Sequence, residues 1–124
     1  MSVQSPTWSE ADVNAAWEAV NAGACLLDVR TTTEYASAHI PGAISMPLLD
    51  LARGTGNLPD DRAIYVICST GNRSNLAMSH LSSQGKSKLY VVHGGMRAWV
   101  AAGLPFETPK PDAPRGFFSR FKKR

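Results

Sequence analysis

The stretch Val66-Ile67-Cys68-Ser69-Thr70-Gly71-Asn72-Arg73-Ser74 holds the most reactive combination of residue types in the chain. An apolar run, Ile64 to Ile67, ends on a cysteine. A short polar loop follows, and Asn75 to Leu81 then reads as a helix with Leu76, Ala77 and Leu81 on one face. Strand, thiol, tight loop and helix together turn cysteine into a nucleophile. Amides of the loop and first helical turn have no intrahelical acceptors, so they favour Cys68 as thiolate and would cradle an anionic substrate. Gly71 permits a backbone shape closed to other residues, and Arg73 adds a fixed positive charge. Ser69, Thr70 and Ser74 offer hydroxyls, but the binding expected of Ser69 to Ser74 rests first on their amides and on the Arg73 cation. The structural alternatives are an inert buried cysteine and an arginine that only holds the loop together.

The elements that must position this loop read as alternating helices and strands. Ser9 to Asn21 reads as a first helix, with Ser9 as N-cap, Asp12 three residues on, and Val13, Ala16, Trp17 and Val20 at helical spacing. Trp17 reads as core. Cys25 to Val29 is a short buried strand, and Cys25 within it reads as inert. Thr31 with Glu34 offers a capping box for a short helix. Asp28 and Arg30 at the strand end read as scaffold, and His39, beside Pro41-Gly42, as a turn-holding residue rather than an acid/base. Ile44 belongs to another short strand closed by Pro47. Leu48 to Asp61 is irregular, with one helical turn around Leu49 to Ala52. Lys88 to Val92 is a further strand, and Met96 to Ala102 a last helix with Trp99 inward. Alternation of this kind predicts an α/β fold, a mostly parallel sheet with helices on both faces. Binding crevices in such sheets lie beyond the strand C-termini, where Cys68 falls.

Composition sets the bounds. At 124 residues, 44% hydrophobic and 19% charged, the chain reads as one soluble globular domain, without a run long enough to span a membrane or a visible secretory signal. Two cysteines are too few for a disulfide framework and show no paired metal-ligand spacing, so a reducing cytoplasm is the expected setting. The net charge of +3 is misleading. Residues 110–124 hold six basic side chains against one acid, and the remainder carries −2, so the overall basicity gives no argument for nucleic-acid binding.

Four signals coincide, in order and at comparable spacing, with one family. They are Asp28-Val29-Arg30 with Glu34-Tyr35; His39-Ile40-Pro41-Gly42-Ala43; Cys68-x-x-Gly71-x-Arg73-Ser74; and Gly94-Gly95-x-x-Ala98-Trp99-x-x-x-Gly103-x-Pro105. Over about residues 7 to 107 the chain resembles a single-domain rhodanese, a sulfurtransferase. The resemblance implies a rhodanese-like sheet in which Cys68 takes a sulfane sulfur as a persulfide and passes it to a thiol, a protein acceptor or cyanide. That chemistry requires no metal or organic cofactor. Thiosulfate, mercaptopyruvate or a polysulfide would be the donor, although the neutral Ser69, Thr70 and Asn72 leave Arg73 as the only cationic side chain in the loop. Ala38 stands where the family usually has glycine. An exposed Cys68 loop would suit a sulfur relay. Two rival readings go with the resemblance. One is a rhodanese-homology binding module, which often lacks the cysteine. The other is a rhodanese-fold phosphatase, whose Cys-x5-Arg signature needs Arg where Ser74 stands.

Residues 1–108 read as the single domain and 109–124 as a Pro-containing linker with a basic aromatic tail. Phe117 and Phe121 would share one face of a helix, suggesting weak contact with an anionic membrane surface or acidic partner, against a mobile solubilising tail.

Overall fold

The computed structural model describes residues 8–109 other than 55, 57, 70 and 71, and of Asn72 the backbone alone. The tail therefore lies outside the described residues. Five parallel strands form one sheet in the order β1-β5-β4-β2-β3. They are β1 (Ser9–Ala11), β2 (Cys25–Asp28), β3 (Ile44–Ser45), β4 (Ile64–Ile67) and β5 (Leu89–Val92). The helices are α1 (Val13–Asn21), α2 (Thr32–Ser37), α3 (Leu48–Leu51), α4 (Asn72–Ser83) and α5 (Gly95–Ala101). No helix among the described residues is long and apolar enough to cross a membrane.

Strand periodicity divides the core into two layers. Cys25, Leu27, Val29, Ile64, Val66, Leu89 and Val91 face one way and pack against Leu51 of α3 and Ala77, Met78 and Leu81 of α4. Leu26, Ile67 and Val92 face the other way, against Val13 and Ala16 of α1 and Met96 and Trp99 of α5. The same alternation carries Cys68, one residue beyond β4, onto the α4 face with Val66. The central strands read as continuous apolar runs because helices cover both faces.

Three expectations change. Ser9 is in an edge strand rather than capping α1, because Ser9 to Ala11 pairs with Tyr90 to Val92. The N-cap is Asp12, whose Oδ1 accepts from Ala15 N at 2.8 Å. Helix α4 begins at Asn72, three residues early, so Arg73 and Ser74 belong to its first turn. Its inward face is Ser74, Ala77, Met78 and Leu81, whereas Leu76 is 58% exposed. The other elements lie where the sequence puts them, within a residue or so. Trp99 is fully buried, with its indole N–H on Pro105 O at 2.8 Å and its ring edge-on to Trp17, which is partly buried in the core.

Helix α5 fixes the end of β4. Its amides at Met96 and Arg97 donate to Cys68 O at 2.7 Å and Ser69 O at 3.1 Å, pairing first-turn donors with strand-end carbonyls. This requires very close approach at Gly95, where φ is +61°. A methyl there would overlap the Cys68 carbonyl oxygen and come within 2.8 Å of the Ser69 carbonyl group. Gly95→Ala combines left-handed strain with overpacking, and should cost about 2–5 kcal/mol in denaturant unfolding. A loss below about 1 kcal/mol would mean that the two segments can separate freely.

Candidate active site

Cys68 sits at the carboxyl end of the central strand β4, between the start of α4 and the start of α5. The thiol is covered. Cys68 is 1% exposed, which corrects the expectation of an exposed loop. The cause is the strand alternation, which turns the residue into the layer under α4 instead of out to solvent. Thr70, Gly71 and the Asn72 side chain lie outside the described residues, and the expected cradle of loop amides falls largely with them.

The described loop residues are held by a group the sequence analysis assigned only to helix capping. Glu34 completes the capping box: Glu34 N donates to Thr31 Oγ1 at 3.1 Å and Thr31 N to Glu34 Oε1 at 3.0 Å. The same carboxylate reaches across to the cysteine loop. Arg73 Nη1 donates to Oε1 at 2.7 Å and Nη2 to Oε2 at 3.0 Å. Ser69 Oγ donates to Oε2 at 3.1 Å and accepts from Arg73 Nη2 at 3.0 Å. Glu34 is therefore a clamp on both ends of the loop, whereas its sequence signals were an acid three residues after the Thr31 cap and a place in a family motif, neither of which points to Arg73. Its carboxyl is held well below the usual carboxylate range, chiefly by the Arg73 hydrogen bonds, which outweigh desolvation. Arg73 is pushed above its ordinary value, first by its hydrogen bonds to Glu34, and also by attraction to Glu34, Cys68 and Asp28. Arg73 thus feels the charge of Cys68, and this coupling is reciprocal.

Ser74 is fully buried, and its Oγ has no hydrogen-bond partner among the described residues. Asp28 and Arg30 form a buried forked pair, Nε to Oδ1 at 3.0 Å and Nη2 to Oδ2 at 2.8 Å, and Nη2 also donates to Ala38 O at 2.6 Å. The pair ties the end of β2 to the chain after α2. His39 donates from Nδ1 to Tyr35 O at 3.1 Å, stacks on that ring, and brings Nε2 within 3.2 Å of Glu107. Tyr35 belongs to α2, and Glu107 to the returning C-terminal segment that bridges to His39. A cleft of about 450 Å³ lies beside the loop, lined by Val29, Thr31, Leu48, Asp50 and Arg73 among others.

Cys25 differs from Cys68 in position. It pairs in register with Ile64, four residues before Cys68 and about 13 Å along the strand. Burial pushes its thiol up, with Arg62 and Lys86 opposing more weakly.

A parallel sheet whose central strand ends on a cysteine, beside a clamped loop and a helix start, defines an α/β domain with a cysteine at the strand's carboxyl end. The chain belongs to the rhodanese family: residues 12–102 match the Rhodanese-like domain. It is 33% identical over 105 residues to the thiosulfate sulfurtransferase GlpE of Actinobacillus pleuropneumoniae serotype 3, covering 84% of this chain and 97% of that one. It is 34% identical over 85 residues to a sulfurtransferase of Allochromatium vinosum, covering 68% and 79% of the two chains. The crystal structure of a rhodanese-related protein from Thermoplasma volcanium superposes with a TM-score of 0.73 at 30% identity, covering 80% of this chain and 97% of that one. Some relatives are much longer: the match takes in 40% of one from Bacillus subtilis and 19% of one from Ogataea parapolymorpha.

The Glu34 clamp has a pH signature. A carboxyl lowered in the folded state contributes stability that is complete above its unfolded value near about 4.3 and declines as pH falls below it toward the folded value. Wild type should exceed Glu34→Gln by about 1 kcal/mol at pH 7, the scale of a partly exposed forked pair. Urea midpoints at pH 7, 5 and 3 should show that gap shrinking only at the lowest pH. A gap unchanged at pH 3 would show that the ion pair is not its source.

Proposed function

We propose that this chain is a sulfurtransferase of the thiosulfate:cyanide type, carrying sulfane sulfur as a persulfide on Cys68. The observation that carries the reading is Cys68 at the carboxyl end of β4, within the electrostatic reach of Arg73, in a chain whose relatives include named sulfurtransferases. The Cys68 thiolate attacks the outer sulfur of the donor. With thiosulfate or a polysulfide the donor S–S bond breaks and sulfite or a shortened polysulfide leaves. With mercaptopyruvate the C–S bond breaks and pyruvate leaves as its enolate. In each case Cys68 retains the extra sulfur. A thiolate or cyanide then attacks that terminal sulfur and releases the Cys68 thiolate. Covalent storage divides one exchange into two displacements.

The surroundings support each step. Arg73 favours the charged nucleophile and the charged persulfide that replaces it. Amides of Ser69 to Ser74 would hold the donor's oxygens or sulfur. Low water access protects the persulfide between the two displacements, and the cleft beside Arg73 offers the approach. Asp28, Arg30 and His39 serve as scaffold. A reducing, cytoplasmic setting suits a carrier that works through thiols. Residues 1–108 act as the unit, with 109–124 as linker and tail.

The assay is thiocyanate formation from cyanide, with thiosulfate, mercaptopyruvate and polysulfide supplied separately. Cys68→Ala should lower the rate roughly a thousand-fold or more, the scale of losing a covalent nucleophile. Cys25→Ala should leave it unchanged. Turnover surviving in Cys68→Ala, or none by wild type with any of the three donors, would overturn the reading.

A further inference from the structure

Rhodanese chemistry with thiosulfate brings a dianion to a thiolate, so the net charge around the thiol decides which donors are accepted. The Arg73 guanidinium would be the natural counter-charge, but both of its Nη atoms are committed to Glu34. The carboxylate also receives the hydroxyl of Ser69, the residue adjoining Cys68, so the anion stands as near the loop as the cation does. Asp28 and Arg30 cancel in the same way. At the rim, Asp50 shares the cleft with Arg73, and Arg97 lines the opposite side beside Ser69. Among the described residues around the thiol, positive and negative side chains therefore balance, and the remaining loop residues are neutral.

We propose that Glu34 is a specificity-determining residue that cancels the Arg73 charge and biases Cys68 toward sulfane donors of low charge, organic persulfides and thiosulfonates, over the thiosulfate dianion. The proposal rests on the persulfide reading of Cys68 and deepens it to a donor class. With an organic persulfide, the Cys68 thiolate takes the terminal sulfur, the S–S bond to that sulfur breaks, and R–S⁻ leaves carrying the electron pair. With a thiosulfonate the bond between the sulfonyl sulfur and the outer sulfur breaks, and the sulfinate leaves with the pair. The proton of the original persulfide goes to solvent or stays on the terminal sulfur. With a dianionic donor, two further negative charges approach a site that offers no net positive field. One unit of uncompensated charge beside a half-buried group changes a rate by about ten-fold per unit of substrate charge.

Alkylation of Cys68 by neutral iodoacetamide and anionic iodoacetate, followed by peptide mass spectrometry so that Cys25 is scored apart, reads this field without turnover. In wild type the ratio of the two rates should lie close to that of an unstructured cysteine peptide. Glu34→Gln keeps the helix-capping amide and an acceptor for Arg73 but loses the charge. It should move the ratio toward iodoacetate by about ten-fold, and raise kcat/KM for thiosulfate relative to the monoanion benzenethiosulfonate by a similar factor. A purely structural role would change both reagents alike. Wild type already favouring iodoacetate ten-fold over the peptide would overturn the proposal, and that comparison does not depend on the variant folding. An unmoved ratio in folded Glu34→Gln would overturn it equally. Failure of the persulfide reading shows separately, as absence of sulfur uptake by Cys68.

Discussion

The ion pair between Glu34 and Arg73, closed through the Ser69 hydroxyl, is the contact on which the site depends. It joins residues thirty-nine positions apart and brings a short helix with no buried residue of its own into the cysteine loop. Without it, α2 would keep only its end contacts and the Tyr35 hydroxyl on Ala43 O, and the first turn of α4 would lose its brace. The second brace comes from the other side, where amides of α5 take the carbonyls of Cys68 and Ser69 across the gap that Gly95 keeps open. One grip is electrostatic and weakens with acid; the other is steric and does not. Between them, Cys68, Ser69 and Arg73 are each held from outside the loop. Preorganisation of that kind is what a displacement at sulfur needs, since the nucleophile must be aligned before the donor arrives.

The two cysteines are both buried and differ in their place along the sheet. Both face the α4 layer, but Cys25 sits low in the sheet, level with Ile64, where desolvation keeps it a thiol. Cys68 stands at the strand end, within the electrostatic reach of a cation. The rhodanese family match and the named sulfurtransferases among its relatives agree with sulfur transfer as the chemistry. Covering such a thiol would restrict unwanted reactions of any sulfur held there.

Much of this was legible in the residues alone. The β-branched run before Cys68, the Thr31–Glu34 capping box and the breaks at Gly23 and Pro47 announce their elements through local rules. Period-two alternation through Ile64, Val66 and Cys68 also contained the burial of the thiol, but a strand end looks open until the helix above it is in place. The misreadings share that cause. Ser9 to Ala11 is too short to signal a strand, and only pairing with β5 makes it one. Leu76 looks like core by type, yet Met78 takes the inward position because the helix starts earlier than its apolar residues suggest. Glu34 satisfied a local rule so fully that its long-range partner left no trace in sequence. Gly95 stood out only within a family motif, whereas its reason is a tertiary approach that no local pattern encodes.

The account turns on sulfur being held by Cys68 itself. Mass spectrometry of the intact chain after brief exposure to polysulfide, followed by peptide mapping, tests that directly. The account predicts a gain of one sulfur atom, located on the Cys68 peptide, that disappears on adding cyanide with matching appearance of thiocyanate. A chain that takes up no sulfur, or that carries it on Cys25 with Cys68 unmodified, would contradict it.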